Sequence, residues 1–426
     1  MRTRLLRVLA TVLLASTAAR MVPAQETRIT SNERFVFVVR GDELLQFDAT
    51  TLALVNRTRL PAPAAQKAET QPAPAIAKAT VQAEAKAIPP KAVIQAVERG
   101  LQWIASSQAE DGRWDADSAN SSGGAVHDVG VTGLALLALL GQGNTPKSGP
   151  HAETVAKGLA WLMGQQDPET GLVGTTSSQT FIYDHAIATF VLVEAYGLSQ
   201  DETRKPAAQA AINYLERHRN PYQVWRYQPR DGDNDTSVTG WCVMGYRAGL
   251  DFGLDVNKQA LELAKAWLDQ MTDPETGRTG YTRRGSMSSR IAGDHATRFP
   301  QDANEAMTGS GLFSRFLLGQ TPDKAPILAT QADLIAQKPP AWEKSRIDEY
   351  AWYVSTYALY QFGGTPWKTW RRHLEAALVP NQVQEGDLAG SWDPIGVWGE
   401  EGGRVFATSL HCLSLLAVQR YARMVK

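Results

Sequence analysis

A chain of 426 residues, 43% hydrophobic and 20% charged, has the composition of a folded globular protein with room for one large domain and an appendage. Its formal net charge of -1 supplies no field for holding a polyanion, so nucleic acid is excluded as the expected partner. Two cysteines, Cys242 and Cys412, are too few for a disulfide framework.

Residues 1–24 read as a secretory signal. Arg2, Arg4 and Arg7 precede a short apolar core from Val8 to Ala15, and Val22-Pro-Ala24 offers a small-residue cleavage site. The core is too short to span a bilayer. The expected location is therefore exported, periplasmic or extracellular and possibly envelope-associated, without an integral membrane span once the signal is cleaved; a retained N-terminal anchor is the alternative.

Residues 28–60 alternate apolar and polar with period two in Phe35–Val39, Glu43–Phe47 and Leu52–Asn56, separated by turn residues. This pattern predicts a small β-meander, which cannot bury a core by itself. Residues 61–90 are mostly Ala, Pro, Lys and Gln and predict a flexible linker, because so few large apolar side chains cannot offset chain entropy.

From Lys91 onward an amphipathic helix, a Gly-containing turn and a more uniformly apolar helix recur. The amphipathic helices fall near 92–107, 152–166, 206–219, 257–271, 326–337 and 367–378. The apolar ones begin near Asp128, Asp184, Asp235, Asp302, Asp348 and Val405. A helix apolar all round is buried, and one with a single apolar stripe lies outside it. The pattern predicts six inner helices ringed by six outer ones.

The repeat carries a recognisable motif. Arg99-Gly-Leu-Gln-Trp103 followed by Gln108 and Gly112-Arg-Trp114 resembles the QW repeat of squalene and oxidosqualene cyclases. Lys157-Gly-Leu-Ala-Trp161 with Gln165 and Gly171 is similar, as is Lys265-Ala-Trp267 with Gln270 and Gly280-Tyr281, and Gly390-Ser-Trp392 retains the motif's end. The resemblance implies a mainly α protein, an α6/α6 toroid of the terpenoid cyclase and protein prenyltransferase type, over residues 91–426. That fold hosts several chemistries, so it does not fix a reaction.

Two family signatures are altered. Squalene-hopene cyclases carry Asp-x-Asp-Asp-Thr-Ala where this chain has Asp231-Gly-Asp233-Asn234-Asp235-Thr236-Ser237. Asn234 falls at the proton-donating acid, and an amide cannot protonate an alkene. This leaves Asp233 and Asp235 as candidate acids, with helix capping by Asp235 or Thr236 as the structural reading. Prenyltransferases hold zinc near their last inner helix, where the resemblance puts Thr408 at a histidine ligand. Neither a metal nor a cofactor is expected.

Inner-helix N-termini share one rim, where Asp184 and His185 are candidates for acid–base chemistry. Tyr183, Trp225, Tyr227, Trp241, Arg290, His295 and Trp398 are the candidate ligand-binding residues, since aromatics with a few charged groups form common ligand linings. Three readings follow. The cavity binds an isoprenoid or other apolar small molecule without being a standard squalene cyclase; the rim acids serve a carbohydrate-active lyase or hydrolase; or the toroid is a plugged scaffold that binds an envelope protein. Large apolar residues expected along the inner helices, among them Val131, Leu134, Ile187 and Trp241, favour the first and third.

Overall fold

A computed structural model describes residues 27–31, 35–40, 43–48 and 54–59, Ile88, residues 90–116, 127–291 and 293–420, and Met424. The signal-like segment 1–24, and the stretch 61–90 apart from Ile88 and Pro90, lie outside the described residues. The chain forms two compact units, which divide between Thr80 and Val81.

The first unit is a four-stranded antiparallel sheet of β1 (Thr27–Ser31), β2 (Phe35–Arg40), β3 (Glu43–Asp48) and β4 (Leu54–Arg59), in the order β1-β2-β3-β4. The sequence pattern contains three strands; β1 is additional and pairs along β2 from Thr27 opposite Arg40 to Ser31 opposite Val36. A register shift between Gln46 and Phe47 interrupts the pairing of β3 with β4.

The second unit is helical. Its outer helices are α1 (Pro90–Ser106), α3 (Ala152–Gly164), α5 (Lys205–His218), α7 (Lys258–Met271), α10 (Ile327–Ala336) and α12 (Gly364–Leu378). Its inner helices are α2 (Asp128–Gly141), α4 (Phe181–Ser199), α6 (Thr236–Asp251), α9 (Ala306–Leu317), α11 (Glu349–Phe362) and α13 (Gly399–Arg420). A short helix, α8 (Asp294–Arg298), lies in the long connection before α9. Each inner helix packs against the next, and α13 packs against α2, so the ring closes.

Burial follows the patterning. α1 buries Val93, Ala96, Val97, Gly100, Leu101, Trp103 and Ile104, one stripe at helical spacing, whereas α2 buries every residue from Asp128 to Leu140. α4 has the length and hydropathy of a membrane span, but 83% of that window is buried inside the ring.

The repeat motif is a joint between neighbouring outer helices. The indole of Trp114 donates to the carbonyl of Ile104 at 2.7 Å, that of Trp225 to Leu215 at 2.8 Å, and that of Trp392 to Leu378 at 2.8 Å. Each bond satisfies a carbonyl in the last turn of an outer helix. Gln108 donates to the carbonyls of Gly112 and of Thr154 in the next outer helix. Gln166 repeats this with Gly171 and Ala207, and it takes the role the sequence motif gave to Gln165. Gln382 donates to Gly390 and to Ala96, joining the last repeat to α1. Gly112 and Gly390 hold positive φ angles of 101° and 95° and lie against the backbone of α3 and α1, where a Cβ would strike Lys157 and Arg99.

Several boundaries differ from the sequence reading. Asp302 lies in a 3-10 turn ahead of α9, which starts at Ala306. α13 starts at Gly399, six residues before Val405, and Gly403 breaks its helical geometry with φ 70°. α4 begins at Phe181, so Asp184 sits within its first turn rather than at its cap.

Candidate functional site

The N-terminal turns of all six inner helices surround a cavity of about 410 Å³. Its apolar lining comes from Val131 and Leu134 on α2, Ile187 on α4, Trp241 on α6, Met307 on α9 and Phe406 on α13. Above these, Tyr183, Tyr227, Tyr281, Tyr350 and Trp398 form an aromatic wall. Trp241 stacks on Tyr353 with ring centres 5.8 Å apart and lies 6.2 Å from Tyr350, so its plane is fixed by neighbours rather than by solvent.

The charged lining consists of Asp184, Asp348 and Glu401 with His127 and Arg290. His127 Nδ1 lies 3.2 Å from Asp184 Oδ2 and 3.4 Å from Oδ1. Burial raises the Asp184 pKa, opposed by His127, and hydrogen bonding to Asp184 raises that of His127. Asp184 and His127 thus form a hydrogen-bonded acid–base pair in the cavity wall.

Asp348 caps α11: its Oδ1 accepts the Ala351 N–H at 2.9 Å and its Oδ2 accepts from Asn304 Nδ2 at 2.9 Å. Arg290 Nη2 lies 3.4 Å from the same Oδ2. The Arg290 Nε and Nη1 donate to the carbonyls of Phe299 and Ser289, so this guanidinium is held by the protein.

Asp235 caps α6 by accepting the Val238 N–H at 2.8 Å and lies one layer behind the cavity. The Tyr281 hydroxyl, which lines the cavity, donates to Asp235 Oδ2 at 3.1 Å and meets the Tyr227 hydroxyl at 2.5 Å. Burial pushes the Asp235 carboxyl up to about 7, against the pull of Val238 N–H, Tyr281 and Arg226. Tyr281 thereby links Asp235 to the cavity wall.

Of the residues nominated from sequence, Tyr183, Asp184, Tyr227, Trp241, Arg290 and Trp398 converge on the cavity. Five others do not line it, Asp235 among them. Asp233 is out in solvent, its side chain 69% exposed beside Arg226. His185 is fully buried: its Nδ1 accepts the Val173 N–H at 3.0 Å and its Nε2 is 3.2 Å from the Ala211 carbonyl. Adjacent helical positions point about 100° apart, so Asp184 and His185 cannot both face the ring axis. Burial drives the His185 pKa down to about 3, which leaves it neutral. Trp225 is a joint residue of the repeat, fully buried with its indole on Leu215. His295 is buried at the edge, where its Nε2 lies 2.8 Å from the Val397 carbonyl and its ring lies 5.8 Å from that of Trp398, so it supports a lining residue.

The sequence reading missed His127 and Glu401, which lie just outside the helix spans it assigned. The detectable signal was the His127-Asp128 pair at an inner-helix start; for Glu401, two residues ahead of the kink at Gly403, there was none. Another buried histidine, His411, sits among Trp342, Trp352 and Trp392 with centroid distances of 5.9, 5.8 and 5.6 Å and makes no hydrogen bond.

No protein-family model matches the chain, and no curated protein sequence does either. Solved structures do resemble it. An inactive variant of an α-1,6-mannanase of Salegentibacter in complex with mannotriose is 11% identical, with a TM-score of 0.51 over 76% of this chain and 98% of the other. An α-amylase from Clostridium perfringens is also 11% identical, with a TM-score of 0.51 over 78% and 100%. A type II terpene cyclase from Scytonema is 14% identical, with a TM-score of 0.49 over 77% and 97%. At these identities the likeness is one of fold, an α/α toroid.

Proposed function

We propose that this is an exported toroid protein that binds an isoprenoid or similarly apolar small molecule in its central cavity. The observation that carries the proposal is the lining. Val131, Leu134, Ile187, Trp241, Met307 and Phe406 form an apolar surface under a ring of aromatic side chains, in a volume within the range of small-molecule sites. A water-filled polar barrel would not be lined this way. A plugged scaffold core would leave no cavity of about 410 Å³. The signal-like N-terminus supports the exported location.

The reaction, if one follows binding, is not standard squalene cyclisation, because Asn234 stands at the family's acid position. Asp184 with His127 is the group placed to give or take a proton at a bound ligand. The test is mass spectrometry of an organic extract of the protein purified from an isoprenoid-producing bacterium. A stoichiometric polyprenyl or triterpene species supports the reading, and a clean extract from protein with an intact fold refutes it.

One observation favours a second reading, a carbohydrate lyase or hydrolase: Asp184, Asp348 and Glu401 share one mouth. Paired carboxylates are the usual requirement for glycosidic cleavage. That reading predicts cleavage of an oligosaccharide panel, abolished in Asp184→Asn or Glu401→Gln.

A further inference from the structure

The cavity has a charge imbalance that its lining does not resolve. Three carboxylates, Asp184, Asp348 and Glu401, face it against two cations, His127 and Arg290. His127 is engaged by Asp184 at 3.2 Å and Arg290 by Asp348 at 3.4 Å. Arg290 is also inaccessible, its side chain 1% exposed. Glu401 makes no salt bridge of its own among the described residues, although its charge acts on His127 and Arg298. Its Oε2 is buried and has no hydrogen-bond partner. Arg298, outside the lining, is engaged by Glu400 at 2.7 Å and Asp294 at 3.1 Å.

The surroundings of Glu401 are aromatic. Trp398 and Phe406 flank it along the chain, and Tyr183, Trp241 and Tyr350 line the same space. Glu401 is half-buried, and a carboxylate oxygen shut from water without a partner is costly unless a positive group joins it. Ring faces attract cations as well, most strongly when water is excluded. Both features select the same kind of head group, and both reject an anion.

We propose that the ligand bears a single positive charge: an apolar chain with an ammonium head that lies against Glu401 inside the aromatic wall. The inference rests on the reading of the cavity as an apolar ligand site and adds the head group. A neutral alcohol fills the same apolar space without meeting the charge, and a carboxylate meets repulsion from Glu401.

The experiment is calorimetric titration of the full chain with decyltrimethylammonium, decanol and decanoate, each below its micelle concentration. The ammonium is expected to bind at least about tenfold more tightly than decanol, with decanoate weakest, a tenfold difference being about 1.4 kcal/mol. In Glu401→Gln the gap between ammonium and alcohol narrows to under about threefold, while Glu401→Asp keeps it wider than in Gln. Equal binding of ammonium and alcohol, tighter binding of decanoate, or an undiminished gap in Glu401→Gln overturns the charged head and leaves the apolar cavity standing. Failure of all three probes to bind overturns the underlying reading instead.

Discussion

Gly130 on α2 lies so close to Asp184 on α4 that no side chain fits between them: a Cβ there would collide with Asp184 Oδ1. The carboxylate is thereby pressed against the amino end of α2, within reach of His127 and of the Gly130 amide. A helix N-terminus favours a negative group at that spot. Gly130→Ala is expected to push Asp184 away from His127 and to destabilise the fold by about 1–3 kcal/mol, as overpacking does. Chemical denaturation reads the stability. The His127 pKa, followed by NMR, should fall toward its ordinary value of 6.5 as its main hydrogen bond is lost.

His185 is a structural group despite its place beside Asp184. Its ring satisfies the Val173 N–H and lies against the Ala211 carbonyl, tying α4 to the loop before it and to α5. His185→Ala leaves a cavity and an orphaned buried donor, at a cost of about 2–4 kcal/mol. Ligand affinity of the folded protein should stay within about twofold of the parent. A loss of affinity at unchanged stability would return His185 to the site.

Gln382 closes the ring. Its amide donates to the carbonyls of Ala96 and Gly390, and its Oε1 accepts from Arg99 Nη2 at 2.7 Å, so residues almost 300 positions apart meet at one side chain. Gln382→Ala strands those carbonyls and should cost about 1–3 kcal/mol. Because the joint holds α1 to the last repeat, hydrogen exchange should rise first in α1. Uniform exchange across the toroid would show that the joint is not a local one.

The pH dependence of stability follows from groups that burial and hydrogen bonding shift. Asp235 and Glu349 are raised by burial to about 7 and about 8, so the folded chain keeps protons that the unfolded chain has already released. Their effect is a loss of stability as pH rises from about 4 toward 8. His185 and His411 are driven down by burial to about 3, so the unfolded chain binds the extra protons and stability falls as pH drops below 6.5. Above pH 6.5 the histidines no longer change, and the raised pKa of His127 acts in the same direction as the carboxylates. The Tm should therefore decline between pH 6.5 and 8. Glu349, the carboxyl raised furthest by burial, should dominate that slope, and Glu349→Gln should flatten it. A slope unchanged in Glu349→Gln would assign the effect to Asp235 and His127.

The sequence alone determined the helical ring and which helices lie inside. Uniformly apolar stretches such as Val129–Leu140 have no face to show water, and striped ones such as Val93–Ile104 have one. It also supplied six of the lining residues as site candidates, because aromatic and charged side chains near inner-helix starts share a rim. What it could not supply was direction. Asp184 and His185 are neighbours in the chain, yet the helical turn sends one to the cavity and the other into the wall between α4 and α5. Trp225 and Trp241 are both buried indoles; only packing decided that the first ties off an outer helix while the second lines the cavity. The partnership of Gly130, His127 and Asp184, and the unpaired Oε2 of Glu401, arise where separate helices approach, and no local spacing encodes that approach.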